Sequence, residues 1–558
     1  MTGVRESEID GVLCFWVDMG HPASRAHLIF RQGLADETLP ETGWLHLLEH
    51  LALLDRETLS RPIQGSATML LTTFSTLGTE DALVEHLGAL GHWLAEPDLR
   101  LLARERGVLQ ADAQLRRDPL LRSLTWRYGA VGPGVTSYAE AGAVRATPEL
   151  LLERCRRVFN SANAVLVLDG PPPKGLTLPL AGGEYLPPAP AVPVRRRHPA
   201  AYVDDVGGLT LSGVVDRTPE ADLLAALLER AVHDGLRQRL GGAYAPWSSR
   251  VDVDDQRAVV AAGSDAVPEM LPTMAETGFE ISRRLSQDGV PRAWVQEAID
   301  ARLRVLGMPG APLEVALGSA HAVLSDQVPK THEELLDETR GLDPDLVDAA
   351  ARAFHTSLLI GLPEGARVRK SAPLVTFPEH EPSGVTPRHR HVDWPAELTT
   401  FAAGDQGLET VHGQTARRLD LPEVAGVFAW RDGTRQVIGR DGSTIEMEPR
   451  QWFRGQELTK ALDALVPEAL QVPMPDRTVT FRRMGLPQKC AVAFARSANT
   501  VPGLSVLTGL FLLLTLLVLL GGHTVVGIFL LLLAGALGAQ LWRVRSHVPA
   551  ALLQEQVT

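Results

Sequence analysis

The chain has 558 residues, too many for one ordinary hydrophobic core, and its 67 acidic and 54 basic residues give a formal net charge of −13. An acidic chain with 45% hydrophobic residues is neither disordered nor a basic protein that coats nucleic acid, so no nucleic-acid partner is expected. Its three cysteines, Cys14, Cys155 and Cys490, are far apart and form no CxxC pair. This spacing argues against a disulfide scaffold and against a cysteine-ligated zinc ribbon.

Two proline-rich stretches divide the chain, because proline disfavours the interiors of helices and strands. The first linker covers residues 173–200 and the second covers residues 371–400. The blocks before and after the first linker, residues 1–172 and 201–370, both open with apolar strand-like runs and continue into helical patterns. We therefore expect two related α+β units that pack together.

The first block contains a candidate metal site. Residues 44–56 have no proline or glycine, which predicts a helix. On a helix, His46 and His50 lie one turn apart on one face and can both bind Zn²⁺ at ~2.0–2.1 Å. Glu49 lies beside them, where a general base can take a proton from a metal-activated water, as in the inverted zinc-peptidase motif HxxEH. The alternative is two histidines on a half-buried helix with Glu49 on its surface.

Around this motif, residues 8–365 resemble the M16 family of zinc metallopeptidases, which includes pitrilysin, insulysin and the mitochondrial processing peptidase. The segments that carry the resemblance are residues 30–37 before the motif, residues 64–68 and 72–74 after it, and residues 160–170 at the end of the block. The resemblance implies two M16-type α/β hemidomains, a bound Zn²⁺ and the hydrolysis of peptides.

The resemblance also implies a third metal ligand. In the family, a glutamate on a later helix binds the metal, seven residues after a supporting glutamate. Glu105 and Asp112 have this spacing, so Asp112 would be the ligand and Glu105 the supporting acid. The sequence departs from the family in two ways: aspartate is one methylene shorter than glutamate, and the interval from His50 to Asp112 is shorter than usual.

The second block contains a pair that resembles the family's Arg-x6-Tyr signature, Arg237 and Tyr244. In the family this pair holds the substrate carbonyl, and a cation and a phenol are suitable donors to a developing oxyanion. In two-domain members, paired subunits form a clamshell. The resemblance therefore implies that Arg237 and Tyr244 serve the zinc of a homodimer partner or of a related M16-like partner chain.

Residues 401–480 contain short strand candidates separated by Asp-Gly turns, which predicts a small β-rich module. Beyond it, no charged residue occurs between Arg496 and Arg543, a length about twice that needed to cross a bilayer. We expect two transmembrane helices within residues 504–542 and a short tail at residues 543–558. Basic residues on both flanks predict a multi-pass anchor in the cell (inner) membrane with the body and tail on the cytoplasmic side.

Two functions are compatible with this pattern. The first is a membrane-tethered zinc endopeptidase that admits peptides or unfolded segments to a closed chamber, where they pair as an extra strand near residues 135–138. The second is a catalytically weak or inactive M16-like scaffold or peptide-binding subunit at the membrane, which the aspartate at position 112 favours. Metal content, together with peptide turnover in a Glu49→Gln variant, distinguishes the two.

Overall fold

The structure is a computed structural model that describes most of the chain. The described residues are 3–54, 63–115, 118–138, 140–203, 208–240, 245–265, 267, 269, 271–477, 481–490, 492, 508–509, 512–516, 518 and 534–535, without the side chains of 113–115 and 237–240.

A six-stranded sheet forms the centre of the first half. Its strands in chain order are β1 (Val4–Ile9), β2 (Val12–Val17), β3 (Arg25–Arg31), β4 (Ile63–Ala67), β5 (Leu71–Leu77) and β6 (Ala164–Leu168). Across the sheet the order is β1-β2-β6-β3-β5-β4, with β2 and β6 parallel and the other neighbours antiparallel. β6 is an uninterrupted apolar run that is buried over its whole length, as expected for a central strand.

Helices cover one face of this sheet. They are α1 (Trp44–Leu53), α2 (Glu80–Ala95), α3 (Leu102–Leu115) and α5 (Pro148–Val158), whereas α4 (Pro119–Tyr128) packs elsewhere. Leucines of α1 and α2 share one core with the sheet, in which Phe30, Phe74 and Phe159 meet edge to face with ring centroids 4.9–6.2 Å apart. This packing fixes α1 beside the edge strand β4.

The second half repeats the same sheet. Its strands are β7 (Ala200–Val203), β8 (Leu209–Asp216), β9 (Pro246–Asp252), β10 (Arg257–Ser264) and β11 (Leu359–Leu362), in the order β7-β11-β8-β10-β9. Its helices are α6 (Pro219–Leu240), α7 (Met274–Gln287), α8 (Arg292–Leu306), α9 (Ala311–Val323), α10 (His332–Arg340) and α11 (Pro344–Thr356). The order and directions match β2-β6-β3-β5-β4, because β7 and β11 are parallel and the other neighbours antiparallel. The prediction of two related α and β units is confirmed.

The two halves exchange one helix each across their interface. Helix α9 of the second half lies on the outer face of the first sheet, where Ala316 and Ala320 pack against Phe15 and Val167. Helix α4 of the first half lies on the second sheet, where Leu124 packs with β10. Each sheet is therefore covered on its second face by the other half.

A buried arginine reinforces this exchange. The guanidinium of Arg127, at the end of α4, donates to the backbone oxygens of Ser357 and Ser212 at 2.7 and 2.6 Å. Burial lowers its pKa to about 10, so it remains cationic at neutral pH. It joins the end of α4 to strand β8 and to the C-terminal end of α11, where buried carbonyl oxygens need donors.

Residues from the second linker onward form two further sheets with their own core. One contains β12 (Arg388–Arg390), β13 (Thr400–Gly404), β14 (Gly407–His412) and β15 (Thr415–Leu419), and the other contains β16 (Val424–Ala429), β17 (Arg435–Gly439), β18 (Thr444–Met447) and β19 (Gln471–Pro473), with α12 (Gly455–Leu465) packed between them. We call residues 388–473 the third module. It docks on the first half, where Ala425, Ile438 and Val472 pack against Leu39 and Val135.

Two expectations are corrected. Residues 135–138 belong to a 3-10 helical segment, Gly132–Tyr138, that packs against α4 and the third module, so they offer no sheet edge.

The predicted membrane location is wrong on the described residues, since none of their helices is long and apolar enough to cross a membrane. Of the predicted hairpin, only residues 508–509, 512–516, 518 and 534–535 are described. The other residues of 504–542 and the whole of 543–558 lie outside the described part of the chain.

Candidate active site

Helix α1 begins at a tightly specified corner. Gly43, which precedes its first turn, has a φ of 88°, a conformation that glycine adopts without strain. The buried carboxylate of Glu37 accepts hydrogen bonds from the backbone N–H groups of Gly43 and Leu45 at 2.8 and 2.7 Å. Burial raises the pKa of Glu37 to about 8, against the opposing effect of these two bonds. The helix start, and with it the direction of His46 one turn later, is therefore fixed.

His46 and His50 point at each other from successive turns of α1. Their Nε2 atoms are 3.1 Å apart, and their rings are perpendicular with centroids at 4.6 Å. Two nitrogens bound to one tetrahedral ion at 2.0–2.1 Å lie about 3.3 Å apart. The spacing of the two Nε2 atoms therefore fits a shared zinc ion with almost no rearrangement.

Glu49 lies against both histidines. Its Oε2 is 3.7 Å from His46 Nε2 and 3.9 Å from His50 Nε2, and only 5% of the residue is exposed. Its side chain packs on Gly65 of the edge strand β4, where an added Cβ would lie 1.9 Å from Oε1. Glycine at position 65 thus makes the space that Glu49 occupies.

A carboxylate stands behind each histidine. Glu140 Oε1 is 2.5 Å from His46 Nδ1, and Glu105 Oε2 is 3.7 Å from His50 Nδ1. A carboxylate at Nδ1 holds the proton there and leaves the Nε2 lone pair free for a metal. Burial, followed by the charge of His46, lowers the pKa of His50, which also favours the neutral, metal-binding form.

The donor set as a whole suits Zn²⁺. Described residues with ligand atoms within 4.8 Å of one another form one such group, which consists of His46, Glu49 and His50. Borderline-soft zinc prefers imidazole and carboxylate donors of this kind. The His46-Glu49-His50 arrangement predicted from the HxxEH spacing is present.

No protein-family model and no curated protein sequence matches the chain. Solved structures do match it. A protease from Helicobacter pylori is 13% identical with a TM-score of 0.52, over 65% of this chain and 99% of that one. A peptidase M16 inactive domain from Pseudomonas fluorescens is 14% identical with a TM-score of 0.52, over 66% and 100%. Pitrilysin, at 16% identity and a TM-score of 0.48, is matched over 65% of this chain, which spans 46% of the pitrilysin chain.

Over about two thirds of the chain, the fold is similar to that of the M16 domain from Pseudomonas fluorescens. At these identities the likeness concerns the fold alone, and the structures that share it include both a protease and an inactive domain.

The proposed third ligand lies on the helix expected from the M16 resemblance. Asp112 is partly buried on α3, two turns after Glu105. Glu105 approaches His50 on its Nδ1 side, as a supporting acid would. Asp112 is not a member of the group of ligand atoms within 4.8 Å of one another. Its assignment as a metal ligand stays a prediction.

The oxyanion pair of the second half is only partly described. Arg237 lies on α6, but its side chain is outside the description, and Tyr244 falls in the undescribed residues 241–244. Their role stays a prediction as well.

Glu140 was missed by sequence reasoning. It belongs to no spacing motif and lies 94 residues from His46. The sequence signal for it is weak, because Gly142 lies two residues after it but the approach of this turn to Gly43 and α1 is seen only in the structure.

Proposed function

We propose that the chain is a zinc-dependent endopeptidase of the M16 type. One observation carries the proposal: two imidazole Nε2 atoms converge at 3.1 Å beside a buried glutamate, with a carboxylate on the Nδ1 side of each ring. Three of these side chains, those of His46, Glu49 and Glu105, are buried, and the other two are partly buried. Grouping them in one place is costly for a protein that only needs a core. Binding of one metal ion would explain why these side chains lie together.

Each residue then has a distinct role. His46 and His50 hold the ion, Asp112 is the third ligand, and Glu105 and Glu140 orient the imidazoles. When bound, zinc polarises the scissile carbonyl and lowers the pKa of a water molecule. Glu49 takes the proton of the attacking water and passes it to the leaving amine, which requires a carboxylate within reach of both. Its low exposure keeps competing bulk water away from that proton.

The edge of the first sheet suits an extended peptide. β4 is the outermost strand, and within the described residues no strand pairs with its outer side. Glu49 lies against Gly65 in the middle of this strand. A peptide or unfolded segment that adds to β4 as a further strand would pass its carbonyl groups along Glu49 and the histidines.

The second half completes the proposed site in a dimer. Arg237 and Tyr244 would donate to the oxyanion at the zinc of a second copy, or at that of a related M16-like chain. A clamshell of two chains would also admit only unfolded or short substrates.

The test compares wild type with Glu49→Gln and with Glu153→Gln, an exposed glutamate on α5 of the same half. We expect one zinc per chain in all three proteins. Glu49→Gln should lower turnover of an unstructured peptide mixture by about 10²–10⁴-fold, the range for loss of a general base. Absence of zinc in the wild type, or turnover that survives Glu49→Gln, would sink the proposal.

A second candidate is a catalytically weak or inactive M16-like scaffold or peptide-binding subunit. Asp112 stands outside the group of converging ligand atoms, and one structure with the same fold is an inactive M16 domain. This candidate is supported if a peptide binds to the Glu49→Gln variant and to the wild type equally well and neither protein cleaves it.

A further inference from the structure

Glu140 makes the shortest polar contact to the histidine pair. Its Oε1 is 2.5 Å from His46 Nδ1, which is within hydrogen-bond distance. A carboxylate at Nδ1 orients the imidazole ring, and the opposite nitrogen, Nε2, is directed at His50. Anything that holds Glu140 in place therefore also sets the donor geometry of the site.

The backbone at Glu140 is in an uncommon conformation. Its φ of 58° and ψ of 28° are left-handed, which costs a non-glycine residue roughly 1 kcal/mol. It also approaches Gly43 closely, since a Cβ at Gly43 would lie 2.7 Å from Glu140 Cβ. Such a turn persists only when its surroundings fix it.

One side of the turn is fixed by α1. The N–H of Gly142 donates to Thr42 Oγ1 at 2.8 Å, and the indole N–H of Trp44 donates to the carbonyl of Gly142 at 3.1 Å. These bonds link the turn to the residues that begin the helix of the histidines.

The other side of the turn is fixed by the third module. Arg145, at the end of the 3-10 segment Ala141–Arg145, donates to the backbone oxygens of Glu468 and Gln471 at 2.6 and 2.5 Å. Nearby, the N–H of Ala130 donates to the carbonyl of Arg440 at 3.0 Å. The segment that carries Glu140 is thus held between α1 and a module that contributes no ligand.

We infer that the third module braces the metal site: its contacts to residues 130–145 hold Glu140 against His46, and Glu140 and Arg145 are positioning residues for the ion. This inference rests on the proposed function only in that the site binds zinc. The third module would thus stabilise a side chain of the first half. Zinc affinity is then expected to depend on a contact outside the ligand set.

The experiment measures zinc affinity by competition with a chromophoric chelator, and the visible spectrum of the Co²⁺-loaded protein, in the full chain. Glu140→Gln keeps the shape and removes the charge, and it should weaken zinc binding by about 10–100-fold. Arg145→Ala should weaken it by a smaller factor, and Arg145→Lys, which can still donate to both carbonyls, should restore most of the loss. Arg100→Ala, at an exposed site of the same half, is the control.

The double variant Glu140→Gln/Arg145→Ala decides between bracing and general damage. If Arg145 acts through Glu140, Arg145→Ala has little further effect in the Glu140→Gln background. Full additivity, or Glu140→Gln with unchanged zinc affinity, would overturn the inference while leaving the peptidase proposal standing. A wild-type chain without zinc would instead remove the proposed function itself. If Arg145→Ala fails to fold, Glu140→Gln alone still tests whether Glu140 supports zinc binding.

Discussion

The two halves share the strand order of their sheets, yet the helix at the same place in each serves a different purpose. In the first half α1 connects β3 to the edge strand β4, and in the second α6 connects β8 to the edge strand β9. α1 is ten residues long and buries nine of them, including His46 and Glu49. α6 has 22 residues and faces its sheet with several leucines and Val232.

This difference shows that the candidate metal site depends on particular side chains and not on the fold that the two halves share. Buried polar side chains are costly unless they are paired, and the first half supplies the pairs from separate elements, Glu105 from α3 and Glu140 from a turn. It also supplies space, through Gly43 and Gly65. β9 of the second half, the counterpart of β4, contains no glycine. The same architecture therefore carries a candidate metal site in one half and a packed helix in the other.

If the proposed dimer forms, the second half of one chain contributes to catalysis in its partner, and inactive variants can test this. Glu49→Gln and Tyr244→Phe should each lower peptide turnover by 10²-fold or more. If the site is shared between chains, refolding the two inactive variants together creates heterodimers with one intact site. Activity should then return to about a quarter of the wild-type value, since half the dimers are mixed and each has one of two sites.

Co-refolding two portions of the same variant is the control and should remain inactive. A mixture without recovered activity would show that each chain completes its own site. The second half would then act within the same chain, and the proposal of a clamshell dimer would have to be abandoned.

A glycine tests the space that distinguishes the first half. In Gly65→Ala the new Cβ would lie 1.9 Å from Glu49 Oε1 and 2.5 Å from its Cγ and Cδ, so the flexible carboxylate must move. A displacement of about 1 Å lowers turnover by about 10²-fold, while the histidines and zinc content stay as they are. Gly318→Ala on α9, where a Cβ meets nothing within 4 Å, is the matched control in the second half. Equal turnover in both variants would contradict the role given to Gly65.

The sequence was sufficient for the features that a single helix encodes. The i, i+4 spacing of His46 and His50 requires only that the segment be helical, and nothing in residues 44–53 interrupts the helix. The similarity of the two blocks was also visible, because both show the same succession of apolar runs and helical patterns. Such local signals survive without knowledge of tertiary contacts.

The features that depend on distant approach could not be read in advance. Glu140 reaches His46 from a left-handed turn 94 residues away, held by contacts to the third module. Residues 135–138 looked like an edge strand, but tertiary packing against α4 and the third module favours a 3-10 turn. The exchange of α4 and α9 between the halves leaves no mark in either block taken separately.

The smallest expected effect concerns the junction between the halves. His198 lies at the end of the first linker, two residues before β7, and burial, followed by the positive charge of Arg127, lowers its pKa to about 4. In the unfolded chain its pKa is about 6.5. Between these two pKa values the unfolded state binds a proton at His198 and the folded state does not. The contribution of His198 to the free energy of unfolding is therefore fully present above pH 6.5 and is lost as the pH falls towards 4.

Each pKa unit corresponds to about 1.4 kcal/mol, and because the ring keeps some solvent contact we expect a loss of about 1–2 kcal/mol from this group. Urea unfolding at pH 7 and pH 4.5, with a chelator in every sample to remove metal linkage, measures it. His198→Gln should lose that much less free energy of unfolding on acidification than the wild type, whereas the exposed His92→Gln should behave like the wild type. If His198→Gln is as acid-sensitive as the wild type, protonation of this histidine does not weaken the junction. The two halves are then joined chiefly by the exchanged helices.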